Sequence, residues 1–221
     1  DGGYIVGGYF ESSSIDLGNG ISLDNKGNYY SDGMIIKYNA AGEVEWAEGI
    51  GGTSSEKIES VAETSDGGYI VGGYFGSRSI DLGNGISLTN KSSTNDSDGM
   101  IIKYNARGEV EWAEGIGGTS DYDDIETVAE TSDGGYIVGG SFHSRSIDLG
   151  NGISLTNKGN SDGMIIKYNA TGEVEWAEGI GETNGDYIRS VAETSDGGYI
   201  VRGDFYGSIE LGNGISLTNK G

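Results

Sequence analysis

Carboxylates are the most abundant reactive groups in this chain. Asp121, Asp123 and Asp124 crowd one segment, and Asp96 and Asp98 crowd another as Asp-Ser-Asp-Gly. Hard oxygen ligands at alternate positions suit Ca²⁺. These five aspartates are therefore the candidate calcium ligands, although the full calcium-loop spacing and its closing Glu are absent. Glu109, Glu111 and Glu114 recur as Glu43, Glu45 and Glu48 and again as Glu173, Glu175 and Glu178. Catalytic carboxylates must sit in different environments to divide acid and base roles. Identical copies of one triplet read instead as a solvated strand face. The single histidine, His143, stands where another copy has Gly76, and reads as an incidental exposed side chain rather than a general base. No zinc-ligand cluster is present. No catalytic residue is assigned, and calcium is the one cofactor considered.

These residues sit in a repeat. Ser-Asp-Gly-Gly-Tyr-Ile-Val-Gly-Gly-x-Phe begins at Ser65 and at Ser132, returns at Ser195 with Arg202 replacing a glycine, and is under way at Asp1. With Asp1, Asp66, Asp133 and Asp196 as markers, the units are 1–65, 66–132, 133–195 and a partial 196–221. Such self-similarity means one supersecondary unit used several times, each too small to bury its own apolar face. Length varies in only two places, between Phe and the next Ser-Asp-Gly and between Ile116 and Val128 or their equivalents.

Within a unit the pattern gives strands. Val61-Ala-Glu-Thr-Ser is a short first strand, and Asp66-Gly67 a two-residue type I′ hairpin signal. Gly68–Phe75 is a second strand, apolar on both faces. Ile80-Asp-Leu-Gly and Ile86-Ser-Leu-Thr flank Asn84-Gly85, a further hairpin signal, and form an inserted ribbon. Gly99–Tyr104 is a third strand. Glu109–Ile116 is a fourth that alternates charged and apolar residues. Trp46, Trp112 and Trp176 fall once per unit on that fourth strand and are expected to pack between units. The Asp of each Ser-Asp-Gly is expected to accept backbone N–H bonds in its turn.

Composition narrows the function classes. The net charge of −22 opposes binding to nucleic acid or an anionic membrane. No apolar run reaches the length of a membrane helix. The 43 glycines follow no triplet period and punctuate short apolar runs, and proline and cysteine are absent. Asn90-Lys-Ser, Asn95-Asp-Ser and Asn169-Ala-Thr match the glycosylation sequon.

Asp98-Gly-Met-Ile-Ile-Lys-Tyr-Asn, Gly108, Trp112-Ala, Gly115-Ile-Gly-Gly and the following Ser-Asp-Gly-Gly-Tyr-Ile-Val-Gly together resemble the bacterial SBBP (seven-bladed β-propeller) repeat. The strand pattern, four antiparallel strands per ~65-residue repeat plus a β-ribbon, suits an all-β chain of β-propeller-type blades, with a stack of β-solenoid coils as the alternative fold, and the resemblance implies the propeller. It implies secreted or surface-exposed bacterial proteins and supplies no catalytic residues. In propeller geometry both length-variable loops share one face, where binding is expected. The chain opens inside one copy and stops just before the next expected Ser-Asp-Gly. It therefore reads as an excerpt of a longer array holding about 3.5 blades, an incomplete ring. The expected role is a non-enzymatic extracellular or cell-surface module for adhesion, ligand binding or scaffolding. Its expected partners are a glycan or protein at the varied loops and further copies of itself at open blade ends. The alternatives are a self-assembling filament subunit and, third, a carboxylate-dependent glycosidase.

Overall fold

The computed structural model describes residues 2–27, 29–93, 96–211 and 213–220, and Asp1 and Asn95, singled out above, lie outside them. Every element among the described residues is a strand. Counted by sheet, each later unit begins at the strand upstream of its Asp marker rather than at the marker, and the first holds β1 (Tyr4–Phe10), the ribbon β2 (Ser14–Gly18) and β3 (Ile21–Asp24), β4 (Asp32–Tyr38) and β5 (Val44–Ile50). The second holds β6 (Glu56–Glu63), β7 (Tyr69–Phe75), the ribbon β8 (Ser79–Asp81) and β9 (Ser87–Thr89), β10 (Asp98–Tyr104) and β11 (Val110–Ile116). The third repeats this as β12 (Asp123–Glu130), β13 (Tyr136–Phe142), β14 (Ser146–Asp148), β15 (Ser154–Thr156), β16 (Asp162–Tyr168) and β17 (Val174–Ile180). The fourth has β18 (Asp186–Glu193), β19 (Tyr199–Phe205), β20 (Ser208–Glu210) and β21 (Ser216–Thr218). The sheets run β1-β4-β5, β6-β7-β10-β11, β12-β13-β16-β17 and β18-β19, and each ribbon forms its own two-stranded sheet. Every pairing within a sheet is antiparallel.

The first strand of a unit is longer than Val61-Ala-Glu-Thr-Ser, because β6 starts at Glu56. A bulge between Ile58 and Ser60 breaks its alternation and hides the early half from a period-two reading. The Asp66-Gly67 turn is also not type I′. Only Gly67 has positive φ (81°), and the loop Ser65–Gly67 is closed by Gly67 N–H to Thr64 O at 2.8 Å and Thr64 N–H to Gly68 O at 2.9 Å. This is a type I turn followed by a left-handed glycine. Asp66 stays in ordinary backbone and accepts from Gly68 N–H (2.9 Å) and the Thr64 hydroxyl (2.5 Å). The Asn84-Gly85 turn does have both residues at positive φ, 52° and 77°, as type I′ requires.

The second strand explains why sheets stack so closely. A Cβ on Gly72 would lie 2.6 Å from Val128 Cγ1 and 2.7 Å from Ile125 Cγ2 of the next unit, and one on Gly73 would fall on the Lys57 carbonyl oxygen. The Gly-Gly pair thus lets β12 press on one side and admits the bulge of β6 on the other. Apolar residues of β7 and β10 then feed two cores. Val71, Met100 and Ile102 join Ile35 and Ile50 of the first unit, while Ile70 and Ile101 join Ile125 and Val128 of the third. Each tryptophan meets the tyrosine of the next unit's second strand. Centroid distances are 5.7 Å for Trp46–Tyr69, 5.7 Å for Trp112–Tyr136 and 5.6 Å for Trp176–Tyr199. A polar contact repeats beside it: Ser65 donates through N–H and hydroxyl to Glu130 (2.8 and 2.9 Å), and Ser132 does so to Glu193 (2.6 and 2.8 Å).

Candidate ligand-binding face

All nine glutamates of the triplets are exposed, as a solvated strand face requires, but the middle one of each also meets a buried partner. Lys103, with a side chain only 2% exposed, reaches Glu111 at 3.2 Å and Asp66 at 2.9 Å, and donates to Tyr104 O at 3.0 Å. Lys167 does the same with Glu175 and Asp133, each at 3.0 Å, and Lys37 reaches Glu45 at 3.5 Å. The middle glutamate of each triplet therefore caps a buried ammonium. The first accepts from a turn asparagine, as Glu109 does from Asn105 at 2.7 Å. Sequence alternation shows that a glutamate faces outward, but not that a lysine on the neighbouring strand lies beneath it. The Thr64 hydroxyl first, then Lys103 and the Gly68 N–H, hold the Asp66 carboxyl down at about 2.

The five candidate calcium ligands do not converge. Asp98 and Asp123 are fully buried. Asp123 accepts from His143 N–H (3.0 Å), Ser144 N–H (3.1 Å), Gly118 N–H (3.1 Å) and the Ser144 hydroxyl (2.7 Å). It ties the loop before β12 to the loop after β13. Burial pushes its carboxyl up to about 6, with nearby Asp98 adding to the rise. Asp98 accepts Lys91 N–H at 2.7 Å, and burial raises it too. Asp124 accepts from the N–H and hydroxyl of Ser141 at 3.2 and 2.7 Å. At the loop crest Asp121 takes φ 63° and donates its N–H to the Asp96 carboxylate at 3.2 Å. Among the described residues no group of three or more His, Cys, Asp or Glu is placed to hold a metal. His143 is half-buried, its ring 6.4 Å from that of Tyr187, rather than exposed. Asn90 is 3% exposed, and its amide donates to Phe75 O (3.1 Å) and Asp96 O (2.9 Å), so its sequon serves the fold.

The two length-variable loops meet at a cleft of about 380 Å³ lined by Ser54, Ser55, Tyr74, Ser97, Tyr122 and Asp124. Tyr122 stands 60% exposed in the longest of the loops that lead into a first strand. Tyr74 occupies the variable position of Gly-Gly-x-Phe, held by Tyr9, Ser141 and Asp204 in the other units. Burial raises its phenol, opposed by the Lys57 ammonium. Hydroxyls, one carboxylate and an exposed ring thus share one concave site. Of these residues only Asp124 stood out from composition. The variability of position x was the available signal for Tyr74.

No protein-family model matches the chain. It is 29% identical over 142 residues to the regulatory protein FlaEY of Caulobacter vibrioides. That match covers 64% of this chain and 14% of the Caulobacter protein, so the chain spans a small part of that relative's length.

Proposed function

We propose that this chain is a non-enzymatic, β-propeller-type repeat module of the SBBP kind, working outside the cell or at its surface by binding a glycan or protein on its variable-loop face. The observation that carries the reading is the cleft of Tyr74, Tyr122 and Asp124, built from positions that differ between otherwise similar units. A rigid scaffold with one variable face is how loops acquire binding roles. Hydrolysis of a glycosidic bond would need two carboxylates flanking it, whereas among the described residues this cleft is lined by one, Asp124. A test is binding of labelled glycans and candidate surface proteins to the 221-residue chain, with calcium and with chelator. Tyr122→Ala with Asp124→Asn is expected to abolish binding without changing the urea midpoint. Retained binding would remove the cleft from the account.

A second reading, self-association, has its own support. Tyr4 on β1 is 51% exposed where its equivalent Tyr69 is 4%, and Ile200 on β19 is 65% exposed where Ile137 is 0%. Another unit, from the same chain or a further copy, fits these faces. Light scattering over a concentration range separates a discrete oligomer from open-ended growth.

A further inference from the structure

Two clefts recur at successive unit junctions and share no lining residue with the variable-loop cleft. The first, about 280 Å³, is lined by Lys26, Glu48 and Ile50 of the first unit and Asp81, Leu82 and Tyr104 of the second. The second, about 370 Å³, is lined by Lys91, Glu114 and Ile116 and by Asp148, Leu149 and Tyr168. The two sets are equivalent residue for residue in the repeat.

What sets the clefts apart from ordinary grooves is their tyrosines. Tyr104 and Tyr168 are each 1% exposed. A buried phenol ordinarily finds a hydrogen-bond partner. Among the described residues neither hydroxyl makes one within the protein, and neither is a buried unpartnered atom, so each ring is buried while its hydroxyl opens to the cleft it lines, within electrostatic reach of Glu48 or Glu114. Glu48 and Glu114 stand exposed at the cleft mouths, also without a hydrogen bond among the described residues. Lys91 donates to Gly115 O at 3.3 Å, which leaves the rest of its ammonium for a ligand. Asp148 is already engaged by Gly150 N–H at 2.9 Å.

This set selects a ligand by its chemistry. Lys91 donates, Glu114 accepts and the Tyr168 hydroxyl does either, above an apolar wall of Ile116 and Leu149. An anion meets the charges of Glu114 and Asp148. A bare cation meets Lys91 and finds no third carboxylate grouped with the other two. A neutral ring with hydroxyls around its edge and C–H groups on its faces satisfies every group. We propose that each cleft is a saccharide subsite that takes one neutral hexopyranose of a glycan, with the Tyr104 or Tyr168 hydroxyl and the Glu48 or Glu114 carboxylate binding its hydroxyls. The proposal uses none of the residues of the variable-loop cleft.

The test uses the full chain carrying ¹³Cζ-labelled tyrosine, titrated with neutral tetrasaccharides of glucose, galactose and mannose. At least one is expected to shift the Tyr104 and Tyr168 signals in a saturable way. Tyr104→Phe and Tyr168→Phe, which remove only the hydroxyl, are each expected to weaken binding at their own cleft about 5- to 10-fold. Both are expected to leave the urea midpoint unchanged. Tyr122→Ala with Asp124→Asn should leave these shifts intact, so failure here and failure of the variable-loop reading are separate results. The proposal is overturned if none of the sugars moves these signals. It is equally overturned if methylammonium moves them and sugars do not, or if the Phe variants lose stability, which would reveal a structural partner for the hydroxyl.

Discussion

At the scale of single residues, the chain sorts its carboxylates by what lies behind them. Asp66 and Asp123 look alike in sequence, each an aspartate in a turn-rich stretch. Asp66 faces a hydroxyl and a buried ammonium, and Asp123 faces burial and a second acid. Their effects on stability against pH therefore have opposite signs. The folded-state value of Asp123 lies above its ordinary 3.8, at about 6, so its stabilising contribution is full below 3.8 and is lost as pH rises through 6. That loss is about 3 kcal/mol. Asp66 sits below 3.8, so its contribution is present above that value and is lost as pH falls toward 2. Stability is expected to peak near pH ~4–5, which urea midpoints from pH 3 to 8 would check. A steady rise from pH 5 to 8 would contradict the assignment. The buried lysine gives a second expectation. Asp66→Ala leaves the Lys103 ammonium with Glu111 as its one carboxylate partner, at 3.2 Å, and should cost about 2 kcal/mol or more. Lys103→Met strands no buried charge and should cost less.

At the scale of elements, the Gly-Gly pair of the second strand decides how closely one sheet lies on the next. Gly72→Ala would push against two side chains, Val128 and Ile125, and is expected to destabilise by about 1–3 kcal/mol. Gly73→Ala would meet the backbone carbonyl of Lys57 and is expected to cost more, since the bulge of β6 must move. Comparison of the two urea midpoints tests the order. The fourth unit carries Arg202 where this glycine pair begins. It pairs across to Ser190, with no described strand stacked on the outer face of β19.

At the scale of the whole molecule, the units form a linear chain of interfaces, each with one Trp–Tyr contact and one core that two units share. Stability in such arrays is a sum of unit and nearest-neighbour terms. Single-tryptophan variants report the junctions one at a time. Trp176 is 37% exposed, whereas Trp46 and Trp112 are more enclosed. Acrylamide is expected to quench Trp176 most strongly, and an added unit that follows residue 221 should protect it. Equal quenching at all three positions would mean that the junctions are not stacked as described. Glu130→Ala should weaken the second junction by about 1 kcal/mol, through loss of its bonds to Ser65.

The sequence alone determined the all-β character, the self-similarity of the units and the places where loops vary, because period-two alternation, Asx-Gly turns and self-similarity are local or one-dimensional signals. It placed Trp112 between units and the ribbon turn at Asn84-Gly85 for the same reason. Tertiary structure alone decided which carboxylates are buried, because burial depends on which loops, distant in sequence, close around them, as those of Gly118 and Ser144 do around Asp123. Asp123 became a structural tie and Glu111 the cap of a hidden lysine. Of the five aspartates gathered from neighbouring positions, strand alternation separates two, sending Asp123 inward and Asp124 toward Ser141, while Asp121 meets Asp96 between loops. The two candidate sites, around Tyr122 and around Tyr168, each draw residues from different units tens of positions apart, and only stacking of the sheets brings them together.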